Sequence, residues 1–191
     1  KSQPILKAFR EQAPHIKLLV RSQNCYTTRN QILNGDIDVA IQYDVGLDNS
    51  TVITKVLAHF GQALVASPDL DEDQHDFITP GQKKTVFLIS NDKNCISQEV
   101  FDQYLEDRSI YVENVIELWS IEAIKRSVIS NLGIAFLPHF SVAEELESGK
   151  LIELPTDLKQ NRITAICVHH KNKWVSPAIK LFLKLVDENA W

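Results

Sequence analysis

Helix-period and strand-period segments alternate along almost the whole chain, and this alternation limits the folds open to it. Ile5, Leu6 and Phe9 share one face of a first helix that Pro14 should end. Ile16–Val20 is strand-like. Thr27 to Leu33 reads as a short helix stopped by Asn34-Gly35, a left-handed exit. Val39–Ile41 is a buried strand, and Val52–Val56 and Ala63–Ala66 are two more. Val86–Ile89 is a strand, followed by a helix from Ser97 to about Glu106 with Val100, Phe101, Tyr104 and Leu105 on one face. Tyr111–Val115 is the next strand. Ser120 is placed to cap a helix carrying Ile121, Ile124 and Val128.

One junction in this pattern is abrupt. Ser127–Asn131 is dotted with polar residues, Gly133–Leu137 is apolar throughout, and Pro138 stops the run. Asn tolerates the left-handed conformation, so Asn131 should leave the helix there, with Leu132-Gly133 redirecting the chain. Ser141-Val142-Ala143-Glu144 reads as a capping box and Gly149 as the end of its helix. Ile163–Val168 is a further strand. Ser176-Pro177 opens a last helix whose apolar stripe is Ile179, Phe182, Leu183 and Val186.

Apolar strands separated by helices imply an α/β fold with parallel layers. Pro68 to Lys84 is polar and acidic, with a turn at Thr79-Pro80-Gly81, and is expected to cross between lobes; a return is expected near Arg162. The expected architecture is two Rossmann-like lobes joined by two crossing strands. Residues 1–68 and 164–191 would form lobe I and 69–163 lobe II. A cleft between such lobes is the default place for a small molecule.

The 191 residues are 44% hydrophobic, enough for one domain or two small lobes. The net charge is −5 and no basic run stands out, so this stretch lacks the positive surface that nucleic-acid phosphates require. Three widely spaced cysteines, Cys25, Cys95 and Cys167, form neither a disulfide framework nor a zinc spacing, and fit a reducing, intracellular setting. No apolar run approaches a transmembrane length. The chain has no methionine, so Lys1 is expected to lie inside a longer protein.

Several motifs resemble the effector-binding domain of LysR-type transcriptional regulators. They are LKAFREQAPHIKLLV (Leu6–Val20), ILNGDIDVAI (Ile32–Ile41), SIEAIKRSVISNLGIAFLPHFSVAEELESGKLIEL (Ser120–Leu154) and VSPAIKLFLKLV (Val175–Val186). Their order and spacing cover nearly the whole chain. The resemblance implies a fold like the type 2 periplasmic binding proteins, with a small effector between the lobes. It also implies dimers or tetramers whose arrangement controls transcription, and DNA contact through an N-terminal winged helix-turn-helix absent from this stretch. In such proteins the first helix and strand pack on a partner's second lobe with two-fold symmetry, so Ile16–Val20 and the helix Ile121–Ser130 are interface candidates beside the ordinary reading as core. The pattern departs from the family in three places. The chain opens at the first helix, Asn131 stands where a glycine is common, and Asn94-Cys95-Ile96-Ser97-Gln98 lacks the arginine some members carry there.

Candidate binding residues fall at helix entrances, where amides and the helix dipole favour anions. They are Asn24, Cys25, Tyr26 and Thr27 in one turn; Asn94, Cys95 and Ser97 in the matching turn of the second lobe; and Trp119 and Ser120 before a third helix. The alternatives are plain: Thr27 and Ser120 as caps, Trp119 as core. Cys25 and Cys95, near helix N-termini, could form a redox pair or be bystanders. Asp36 and Asp38 share a face but lack a third ligand. His169 and His170 alternate faces on a strand and cannot share one metal, and His139 fits the surface or rim. No catalytic order of residues, metal spacing or nucleotide loop emerges.

The expected function is therefore regulatory: binding a small effector, an anion suiting three helix N-termini, with no catalysis and no cofactor. The setting is cytoplasmic, the partners are further copies of the chain, and no membrane is involved. The alternatives are a transporter's solute-binding protein, marked by an export signal, and an enzyme of dehydratase or deaminase type, marked by an acid or base in the cleft.

Overall fold

The computed structural model describes residues 2–48, 50–91, 95–158, 162–189 and 191. Asn94 lies outside the described residues. The chain divides into two compact units. The first comprises residues 1–58 and 164–191 and the second residues 59–163. The chain passes between them inside a strand on each occasion.

In the first unit, α1 (Gln3–Gln12) buries Ile5 and Phe9, one turn apart, and ends at Ala13 before Pro14. After α2 (Cys25–Asn34), Gly35 takes φ 77°, the left-handed exit expected from Asn34-Gly35. Strand β1 (Ala40–Tyr43) pairs with β7 (Arg162–His170), with Ala40 opposite Val168 and Ile41 opposite Cys167. Helix α6 (Pro177–Glu188) starts where Ser176 accepts a hydrogen bond from the Ile179 amide. The strand period sorts the side chains. Ile41 and Cys167 face α1 and α6, joining Ile5, Phe9, Leu185 and Val186. Ala40, Ile166 and Val168 face the other way, toward Ile32 of α2 and Val52. Burial pushes the Cys167 thiol up to about 12, so it behaves as a core residue and not as a nucleophile.

Ile16–Val20 is not a strand. Leu19 is 70% exposed and Val20 60%, because no described strand offers them a ladder and alternation alone cannot hold a strand.

The second unit contains the later part of β2 (Val52–Ala66), one continuous strand where two were expected. Gly61 has ordinary φ, so nothing breaks the run between the two apolar patches. The segment from 68 to 84, read as a crossing, belongs to this unit: it forms a short 3-10 turn at Glu72–Gln74 and buries Phe77 completely. Strand β3 (Lys83–Ser90) leads to α3 (Ile96–Asp107), β4 (Tyr111–Glu117) to α4 (Ile121–Ile129), and β5 (Ala135–Pro138) to α5 (His139–Glu147). Strand β6 (Ile152–Leu154) then pairs with β2.

Here too the strands separate two apolar layers. Leu64, Leu88, Ile134 and Phe136 face α3, where Phe101, Tyr104 and Leu105 complete the core. Ala63, Val65, Ile89, Ala135 and Leu137 face α4 and α5, against Ile124, Val128 and Val142. Cover on both faces is why Ile134–Leu137 contains no polar residue. The inference from apolar runs to parallel pairing needs correction. β3 and β4 are parallel, but β1–β7, β2–β5 and β2–β6 are antiparallel. Two-sided burial makes a strand apolar whichever way its neighbour runs.

Asn131 takes φ 59° after α4, as expected, and its side-chain amide donates to the Asp69 carbonyl at 3.0 Å. The capping box does not form. Helix α5 begins at His139, so Ser141 lies inside its first turn and donates to the Pro138 carbonyl at 2.7 Å.

Lys125 of α4 was not singled out by its apolar spacing, yet it is buried. Its ammonium meets Glu122 and Glu145, each at 2.8 Å. Burial alone pulls the Lys125 pKa down, but the two carboxylates hold it above its usual value. The bond from Lys125 keeps the Glu145 carboxyl below its own. A depressed carboxyl stabilises the fold above its unfolded pKa, near 4.5, and loses that contribution as the pH falls through the folded value. Glu145→Gln is therefore expected to cost about 1–2 kcal/mol at neutral pH, with Glu122 still pairing the lysine, and to flatten the loss of stability below pH 4.5. Thermal melts across an acid pH series check this.

Candidate functional site

The expected site residues occupy three helix entrances. At α2, Asn24 is the cap: its side-chain carbonyl accepts from the Thr27 amide at 2.8 Å, and its backbone carbonyl from the Thr28 hydroxyl at 2.9 Å. Thr27, weighed as a cap, is exposed, and the helix starts at Cys25. Cys25 and Tyr26 are half-buried in this first turn.

At α3 the N-cap is Cys95, which is half-buried and gives no side-chain capping bond; Ser97 follows and is buried. At α4 the N-cap is Ser120, in extended conformation and exposed, and its hydroxyl also makes no capping bond. A hydroxyl or thiol at a cap that does not bond the helix amides can turn toward a ligand instead. Trp119 is 79% exposed, so it is not core.

The sheet brings two of these entrances together. β3 and β4 run parallel, Ser90 stands opposite Glu117, and the Leu118 amide donates to the Ser90 carbonyl at 2.9 Å. Helices α3 and α4 therefore both start beyond the carboxyl ends of adjacent parallel strands, where α/β sheets characteristically take ligands. Cys95, Ser97, Trp119 and Ser120 lie on this one edge of the second unit. Asn24–Thr27 form the corresponding turn of the first.

Other features separate from these turns. A groove of about 790 Å³ on the flank of α3 is lined by Val100, Tyr104, Arg108 and Asp157 and contains none of the expected residues. Asp38 pairs with Lys173 at 2.8 Å, a surface contact. Among the described residues no group of three or more His, Cys, Asp or Glu is placed to hold a metal, and no helix is long and apolar enough to cross a membrane.

Two polar groups escaped the sequence reading. Gln42 of β1 is buried with neither side-chain amide atom paired among the described residues, and the Thr54 hydroxyl is likewise buried and unpaired. The signal that could have found Gln42 is its place in Val39-Ala40-Ile41-Gln42, where the alternation points a polar residue inward.

The architecture is a two-lobed α/β fold of the type 2 periplasmic-binding-protein kind. The regulatory domain of HypT from Salmonella typhimurium in its apo form superposes with a TM-score of 0.77 at 18% identity, over 97% of this chain and 88% of that one. The regulatory domain of CcmR from Synechocystis PCC6803, solved in complex with 2-PG, gives 0.73 at 18% identity over 96% and 88%. Residues 2–191 match the LysR substrate binding domain, and the chain belongs to that family. The uncharacterized HTH-type transcriptional regulator YfiE of Escherichia coli K12 is 43% identical over 185 residues. That match covers 97% of this chain and 62% of the relative, so the chain spans about three fifths of its length. Relatives named as regulators favour the regulatory reading over the transporter-linked one.

Proposed function

We propose that this chain is the effector-sensing part of a cytoplasmic transcriptional regulator. The candidate contacts for a small effector, best an anion, are the Asn24–Thr27 turn in the first unit and, in the second, the α3 and α4 entrances, where Cys95, Ser97, Trp119 and Ser120 stand. DNA is contacted by a helix-turn-helix elsewhere in the longer protein, and two or four copies assemble. No residue here acts as a catalyst. The effector shifts the assembly only by the difference in its affinity for two arrangements, and a ligand bound equally by both would regulate nothing.

The observation that carries this reading is the pair of helix entrances on one edge of β3–β4, with the Ser120 hydroxyl unused in capping. Family membership supports it. The test has two stages. A thermal-shift screen of small carboxylates identifies a ligand, since binding only to the folded state raises its melting temperature. The double variant Thr27→Val, Ser97→Val is then expected to weaken that ligand about tenfold or more, with a matching loss of reporter response. An unchanged affinity and response would refute the site.

A further inference from the structure

Gln42 is 8% exposed, and its carboxamide has no partner at either end among the described residues. Its direction follows from the strand. Ile41 packs with the α1–α6 layer and Ala40 with the α2 layer. Residues two apart share a face, so Gln42 points toward α2 with Ala40. Thr54, two residues beyond Val52, shares the α2 face in the same way.

Its level follows from the helix. Ile32 belongs to the cluster around Ala40, and Thr28, one turn nearer the helix N-terminus, is also buried. The reversal at Gly35 makes α2 and β1 run in opposite senses. One helical turn advances about 5.4 Å and two strand residues about 6.7 Å. With Ile32 over Ala40, Thr28 therefore lies over Gln42. The carboxamide sits beneath the first turn of α2, the turn capped by Asn24.

A buried amide without partners costs stability that an apolar side chain of the same shape would not. Such a group persists where something outside the chain completes its hydrogen bonds. We infer that Gln42 is a specificity-determining group that reads a neutral amide or hydroxyl on the effector. The chemistry selects that class. A carboxamide offers both a donor and an acceptor. A carboxylate would leave Oε1 without a donor, and an ammonium would leave Nε2 without an acceptor. The aliphatic surroundings, Ile32, Val52, Ile166 and Val168, also penalise a charge at this depth. An anionic end at the α2 entrance and a neutral polar group at Gln42 then describe one bifunctional ligand. This inference rests on the proposed role of the α2 turn.

Glycolamide, which carries an amide and a hydroxyl, and acetate, which carries neither, are the probes. Thermal shift is measured on the full-length protein, on Gln42→Met and on Thr54→Val. Without probe, Gln42→Met should melt several degrees above the parent, because it removes the orphaned amide and keeps the volume. Glycolamide should stabilise the parent more than acetate does, and its effect should weaken about tenfold in Gln42→Met but not in Thr54→Val, because Thr54 lies beyond β7. A lower melting temperature for Gln42→Met would show a structural amide and overturn the inference. So would equal stabilisation of parent and Gln42→Met by glycolamide, or none of the parent. Any of these results alongside a Thr27→Val, Ser97→Val variant that has lost its effector would sink the Gln42 inference alone. An unaffected double variant would sink the functional reading beneath it.

Discussion

Gly133→Ala is expected to cost about 3 kcal/mol or more, out of proportion to the single methyl it adds. A Cβ at this position would stand 2.2 Å from the Phe87 carbonyl oxygen and 2.9 Å from the Phe87 Cβ. The obstacle is mainly backbone, and that backbone is engaged. The Ile134 amide donates to the same Phe87 carbonyl at 2.8 Å, and the Ile89 amide donates to the Ile134 carbonyl at 2.8 Å. This seam joins β3 to the start of β5 and lies between the two cores of the second unit. Opening it by the ångström a methyl requires would loosen both. The φ of Gly133 is not in the left-handed region, so the glycine is needed for close approach and not for backbone freedom. Gly61→Ala is the control: nothing lies within 4 Å of its added methyl, and the change should be neutral or slightly stabilising. Denaturant midpoints of both variants measure the contrast.

Phe101→Ala should cost about 3–5 kcal/mol, the range for emptying a large aromatic site. Phe101 is fully buried and stacks on Phe136 of β5 with ring centroids 4.8 Å apart. Phe77 and Tyr104 border it at 6.3 and 6.2 Å. The void would not close easily. Tyr104 is fixed through its hydroxyl, which donates to the Phe77 carbonyl at 2.7 Å and accepts from the Asp157 amide at 3.0 Å. Phe101→Leu should cost clearly less, since it keeps most of the volume. Equal losses for the two variants would mean that ring stacking, not filled space, holds this core.

Much of this fold is legible from local pattern. The apolar faces of α1, α3 and α4 follow from spacing, because a helix that must bury one side can do so only every third or fourth residue. Gly35, Asn131 and Ser176-Pro177 mark the boundaries of α2, α4 and α6 correctly, since left-handed exits and side-chain caps depend on one or two residues. Reading failed where the outcome depends on a partner distant in sequence. Ile16–Val20 has the pattern of a strand and no ladder. Ser141 has the letters of a capping box, but Pro138 caps the helix three residues sooner. The two apolar patches of β2 are one strand because both units extend it.

The candidate site divides along the same line. The composition of Asn24–Thr27 and Trp119-Ser120 marks helix entrances, and a helix entrance carries unsatisfied amides wherever it occurs. Spacing therefore identifies these turns, although it does not reveal that Asn24 and not Thr27 is the cap. Adjacency is another matter. That α3 and α4 open on one edge follows from the parallel register of β3 with β4, which no local pattern encodes. Lys125 looks like a solvated lysine until Glu145 arrives from the next helix, and Gln42 looks like an ordinary strand residue although it is buried. Sequence alone determined where this chain turns and alternates, because those choices are made between neighbours along the backbone. Only the tertiary structure decided which groups are buried and which are paired, because burial and hydrogen bonding are settled by whatever segment packs opposite.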